Sequence, residues 1–284
     1  MTEHPVSEHP VSEESNEHTA HDHHSAHAHP GGLHPGTDSA GVPWAGRHFD
    51  QEPSSGDDGT APAGLIDAIA QFRAGDGGEQ SVVAAIIQSR LLIPLVAALG
   101  ESGIGPHGHL VDKSAELSIV TVAGPDGRDV LPAFSSVAAM QGWNPKARPV
   151  PADAVRVALA AASEQTDLLV LDPTSETEFA IRRPALWAIA QSLPWIPSYL
   201  DPEVLDEFMA SASAETSVAR IELAPGDPDA RLAGPELIVT LALAPGLDQQ
   251  SLDALLARLQ QRWAASELIA ARVDSLAVKL IPDA

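Results

Sequence analysis

From Gly64 to the C-terminus, apolar side chains recur in two rhythms that take turns: every third or fourth residue, then every second residue or in short unbroken runs. A helix buries a face of period 3.6 and a strand a face of period 2, so this alternation restricts the folded part to packed layers of helix and sheet. "LIDAIAQFR" (65–73) predicts one helix and "VVAAIIQSR" (82–90) a second, capped by Ser81 or Glu79. "LLIPLVAAL" (91–99) is too short for a long buried helix and contains Pro94, so it reads as a strand with an irregularity or at a sheet edge. Two strand-like runs within 116–136 flank Pro125, Asp126 and Gly127, a hairpin turn signal.

The alternation continues with a helix at 152–163, strands at 167–173 and 177–183, and a helix at 184–192 with Pro184 in its first turn. A Pro-rich connector, "LPWIPSYLDP" (193–202), precedes a helix at 202–213, strands at 217–224 and 236–244, a helix at 248–264 and a strand at 272–281. The expected fold class is α/β of the mixed α+β kind: an α/β domain over 63–200, then a smaller two-layer α+β domain over 201–284.

Residues 1–38 carry neither rhythm and bury too little apolar surface to offset their ordering entropy, so a disordered, histidine-rich acidic tail is expected there. Residues 39–62 read as a linker with a docking segment around Trp44. The tail's "HTAHDHHSAHAHP" (18–30) offers imidazoles to transition metals, but flexible ligands must be ordered by the metal itself. Weak transition-metal binding by the tail is the expectation that follows.

Charge and composition exclude more than they select. With 39 acidic against 16 basic side chains the formal charge is -23, which repels phosphate backbones and anionic lipid, so neither nucleic acid nor membrane is an expected partner. No cysteine is present, which removes thiol nucleophiles, thiolate metal sites and persulfide chemistry. No run approaches the ~18 apolar residues of a spanning helix, so a cytoplasmic location is expected.

Each motif that suggests chemistry meets a plainer explanation. "GIGPHG" places Gly103, Gly105 and Gly108 in a dinucleotide-binding spacing with Asp126 downstream. Pro106 breaks the helix which that fingerprint needs, so no cofactor is expected. His107 and His109 with Asp112 make only a partial metal shell, better read as loop residues. Asp112 and Lys113 sit at a loop mouth before a strand, while Arg182 and Arg183 end a strand just before a helix, a place suited to gripping an anion. These four are the candidate binding residues. No catalytic constellation and no structured metal site is read from the sequence.

The succession "RLLIPLVAAL", "DKSAELSIVTVAGPDGRDVLPAFSS", "ARPVP", "LVLDP" and "RRPALWAIAQSLPWIP", with the island "GVPWAGR" ahead of it, resembles the SseB family in its actinobacterial form. The resemblance implies an α/β N-terminal domain and, through the family name, enhanced serine sensitivity; it implies no catalytic residue and no cofactor. A sulfurtransferase known by the same letters needs a cysteine, which this chain lacks. The expectation is therefore a non-enzymatic interaction or regulatory module with a protein partner or self-association. The rival is a small-molecule binding protein or enzyme with an anion site near Asp112, Lys113, Arg182 and Arg183.

Overall fold

The computed structural model describes residues 57–98, 103–104, 110–111 and 116–283. The histidine-rich tail, the Trp44 segment, His107, His109, Asp112 and Lys113 lie outside the described residues. Helices α1 (Ala63–Ala74) and α2 (Glu79–Ile87) come first and bury Leu65, Ile69, Val82, Val83 and Ile86. Helix α2 starts from Gly78 with no side-chain cap, and Glu79 occupies its first turn instead of capping it. Strand β1 (Arg90–Ala98) follows, then β2 (Gly103–Ile104), β3 (Leu110–Val111), β4 (Glu116–Ile119), β5 (Val122–Ala123) and β6 (Asp129–Ala133). Strands β5 and β6 form the expected hairpin, with Gly127 at φ 82° supplying a left-handed turn position that a side chain would resist.

Helix α3 (Val137–Trp143), strand β7 (Arg148–Asp153), helix α4 (Ala154–Ser163), strands β8 (Leu169–Leu171) and β9 (Phe179–Ile181) and helix α5 (Arg183–Ala190) complete the first half. Beyond the connector come α6 (Pro202–Ala212), β10 (Val218–Pro225), β11 (Leu237–Leu243), α7 (Gln249–Ala265), α8 (Glu267–Arg272) and β12 (Leu276–Pro282). Asp153, Asp201 and Asp248 each accept a backbone N–H at a helix start, which sets where α4, α6 and α7 begin.

The strands form sheets in the orders β4-β1-β7, β5-β6-β8-β9 and β10-β11-β12, and β2 pairs with β3. Strand β1 is central, not an edge, and the backbone shows how it tolerates Pro94. Leu92 and Phe134 exchange both backbone hydrogen bonds, so the even residues of β1 point away from β7. Pro94 therefore stands opposite Pro149 where no β1–β7 hydrogen bond is due. The N–H positions that Pro149 and Pro151 lack face outward from edge strand β7, so both prolines deny that edge to a further strand.

Helices α1, α2, α4 and α5 pack on β1, β6, β8 and β9 through a core that includes Leu65, Val83, Leu131, Val157, Leu171, Phe179 and Ile189. A second core, with Phe208, Leu241, Leu259 and Trp263, joins α6, α7 and α8 to the β10-β11-β12 sheet. The connector stitches the two together. Trp195 packs on the first core, Tyr199 packs on the second, and Ser198 between them is buried. Leu232, from the loop between β10 and β11, covers Val130, Val170 and Ala180.

Candidate functional site

Arg182 follows β9 directly and occupies the N-cap position of α5, so strand geometry delivers its side chain to the loops of the C-terminal half. Only 8% of that side chain is exposed, and the Asp227 and Asp274 side chains are each 2% exposed. Its guanidinium donates to Asp227 Oδ2 at 2.7 Å, Asp274 Oδ2 at 3.2 Å, the Gly234 carbonyl at 2.8 Å and Ser275 Oγ at 3.3 Å. Arg128, at the β5–β6 turn, clamps Asp274 with two parallel hydrogen bonds of 3.0 and 2.9 Å and also holds Asp126 at 2.8 Å. Burial alone pushes the Asp274 carboxyl up, but the Arg128 and Arg182 guanidiniums outweigh it and hold it below the usual carboxylate range.

Asp227 is wrapped by its own loop, accepting N–H groups from Leu232 at 2.7 Å and from Arg231 and Ala233 at 3.3 Å each. The neck of that loop closes so tightly that a Cβ at Gly226 would stand 2.3 Å from the Pro235 carbonyl oxygen, and one at Gly234 would stand 2.5 Å from the Gly226 oxygen. Glycine is required at both positions for the loop to present Asp227 to Arg182. Ala180 donates to Ala230 at 2.7 Å, which lays the loop along the edge of β9.

Beside this pair stand two further acids, one buried and one partly buried. Glu236 precedes β11; it accepts Ser198 Oγ–H at 2.7 Å and the Asp274 N–H, and burial raises its carboxyl above the usual range against those bonds. Glu79, in the first turn of α2, accepts the Tyr199 hydroxyl at 3.1 Å. Burial pushes the Glu79 carboxyl up to about 7, with Tyr199 opposing and Glu236 adding to the shift. The Tyr199 hydroxyl is pushed up in turn, by burial first and then by Glu79.

A separate polar knot lies where the parallel strands β6 and β8 end. Asp172 is fully buried at φ 45° and accepts Ser135 N–H at 2.8 Å, Ser135 Oγ–H at 2.6 Å and Thr177 Oγ1–H at 2.8 Å. Ser135 is itself buried, so the hydroxyl beside this carboxylate is closed to a substrate.

Of the four candidate residues read from the sequence, Arg182 and Arg183 are described, and their heads diverge. Arg183 donates to the Val273 carbonyl at 2.8 Å, and its guanidinium lies 5.2 Å over the Trp187 ring. Both guanidiniums are thus engaged by protein groups. What the sequence reading did not assemble is the set of partners: Arg128, Asp227, Glu236 and Asp274. Burying so many acids is costly without fixed donors, yet each stands beside a strand or turn, where a charged side chain in sequence suggests only contact with water. Among the described residues no group of three His, Asp or Glu side chains could hold a metal ion, and no helix is long and apolar enough to cross a membrane.

The exposed side of α5 and the connector is apolar. Trp187 is 47% exposed, Leu193 51%, Ile196 55% and Leu200 54%. Trp195, Pro197 and Ser198 turn inward between them, so these apolar groups are displayed on an anchored chain.

Residues 65–188 match the family model of the SseB protein N-terminal domain. That stretch runs from α1 into α5 and contains Glu79, Arg128, Arg182 and Trp187, whereas Tyr199, Asp227, Glu236 and Asp274 lie beyond it. No curated protein and no solved structure matches the chain.

Proposed function

Because the chain is an SseB-family protein carrying that family's N-terminal domain, we propose that it acts as a non-enzymatic, cytoplasmic interaction or regulatory module. The reading rests on one observation: Trp187, Leu193, Ile196 and Leu200 stand about half exposed along residues 187–200 while Ile189, Pro197 and Ser198 in the same stretch are buried and Trp195 packs on the first core. Aromatic and aliphatic anchors held in place before binding lose little entropy on association, and tryptophan is enriched among residues that dominate interfaces. Arg183 over the Trp187 ring holds the indole from one side. The partner chemistry that fits is an apolar protein surface with a basic rim, because a chain of charge -23 attracts such a rim and repels an acidic one.

The test compares affinity capture by the full chain with capture by the Trp187→Ala, Ile196→Asp double variant. A partner held by the wild type and lost by the variant, at unchanged unfolding midpoint, supports the reading. Equal capture by both chains, no reproducible partner, or turnover of a metabolite panel would overturn it.

A further inference from the structure

A sheet edge exposes unpaired N–H and C=O groups, and proteins protect such edges. Here the edges are protected one by one. On β7, Pro149 and Pro151 face outward. Edge β9 is covered by the Ala180 to Ala230 hydrogen bond. Edge β10 carries exposed Arg220 and Glu222, an irregularity between Val218 and Arg220, and an outward Pro225. Strands β4 and β5 are four and two residues long. Edge β12 is the least defended of these among the described residues: it pairs only with β11, shows no register shift, carries the single charge of Lys279, and has its outward proline, Pro282, only at its last position.

The backbone register defines what β12 offers. Leu237 donates to the Ser275 carbonyl and Asp283 donates to the Leu243 carbonyl, with no shift between, so the odd residues of β12 face β11. Leu276, Val278 and Leu280 therefore point their N–H and C=O groups outward, and Pro282 ends the series. Leu–Val–Leu reads the same in both directions. We propose that this edge pairs with the same edge of a second copy, antiparallel about a two-fold axis at Val278.

In that register the Val278 pair exchanges both hydrogen bonds across the axis, and Leu276 of each copy does so with Leu280 of the other. Lys279 falls opposite Ala277 of the other copy, so no like charges stand directly across the seam. Leu280, 38% exposed, borders a shallow apolar cleft with Leu243, Leu247, Leu252 and Pro282, and Leu276 of the second copy arrives at that end. The palindromic order favours a second copy over an unrelated peptide, which has no need of it. The pairing uses none of the residues of the Trp187 strip, so either reading can fail without the other.

Sedimentation equilibrium of the full chain tests it. The mass should rise from 29.6 kDa toward twice that value over about 1 to 100 µM. Added salt should tighten the dimer, because two chains of charge -23 repel each other until screened. Leu280→Lys, at an exposed position, should weaken dimerisation by at least about tenfold, and Val278→Pro should abolish it by removing an outward donor. In hydrogen exchange the Leu276, Val278 and Leu280 amides should slow as concentration rises. A monomer throughout, a dimer indifferent to both substitutions, a dimer in which those amides exchange as fast as in the monomer, or a monomer that captures a different protein on this edge would each overturn the proposal.

Discussion

Replacing Glu79 with glutamine should stabilise the protein, and the gain should grow with pH. Glu79 sits in the first turn of α2 and is largely buried, with Tyr199 as its hydrogen-bond donor and Glu236, Asp227 and Arg182 as the charges near it. Its folded pKa of about 7 lies above the 4.5 of an unperturbed glutamate. Between those values the folded chain keeps a proton that the unfolded chain releases, so stability falls as pH rises through this window and levels off above it. At about 1.4 kcal/mol per pKa unit the full loss is about 3 kcal/mol, and the remaining solvent access of the side chain reduces it to about 2.

Glutamine matches the shape of glutamate and keeps an oxygen to accept the Tyr199 hydroxyl, but never ionises. Urea unfolding followed by tryptophan fluorescence, at pH values from about 5 to 8 above the pI of 4.6, gives the comparison. Glu79→Gln should exceed the wild type by less than about 1 kcal/mol at the acidic end and by about 2 kcal/mol at the basic end. A difference that is flat with pH, or that favours glutamate above pH 7, would refute the claim that Glu79 is held where its charge is unwelcome. Glu236 is raised by burial as well and slopes the wild-type curve in the same direction, but it is present in both chains and drops out of the difference to first order.

Two further substitutions probe the remaining buried polar groups. Arg182→Met leaves Asp227 without its guanidinium and Asp274 with Arg128 alone, so it should cost about 3 to 5 kcal/mol in urea unfolding, and adding Asp227→Asn should restore part of the loss. A cost below about 1 kcal/mol would mean the interlock contributes little. Asp172→Asn tolerates the left-handed backbone but turns an amide N–H toward donors that the carboxylate accepted, so a loss of about 2 kcal/mol is expected by the same assay, and a neutral outcome would show the Ser135 and Thr177 bonds to be dispensable.

Most helices and strands were legible because each carries its own period. Helix α7 began at Asp248 as the capping pattern required, and α5 opened with Pro184 in its first turn. The misreadings have a common cause, which is that pairing is not local. Pro94 argued for an edge, yet it stands opposite Pro149 at a position where no hydrogen bond to β7 is due. Glu79 looked like a helix cap, and its main partner proved to be Tyr199, far along the chain. Helix α3, strand β7 and helix α8 are short elements whose apolar residues are too few to show a period. The paired arginines were conspicuous in sequence, but the acids that claim Arg182 lie beyond the connector, in segments that read as turn and strand boundary.

That pairing changes what Arg182 and Arg183 mean for the rest of the surface. Both lie at the start of α5, and both tie it to the C-terminal half, Arg182 through Asp227 and Asp274 and Arg183 through the Val273 carbonyl. One turn further along the same helix stands Trp187, half exposed, and the chain leaving that helix carries Leu193 and Ile196 outward before Tyr199 reaches Glu79, with Leu200 exposed just beyond it. The display of the apolar strip is therefore held at both ends by buried polar contacts that join the SseB N-terminal domain to the segment beyond it. At the second of these, Glu79 with Tyr199, burial pushes the Glu79 carboxyl up to about 7. If the strip is where a partner binds, its affinity should respond to pH through the Tyr199 end. Glu79→Gln should then flatten that response without touching an interface residue.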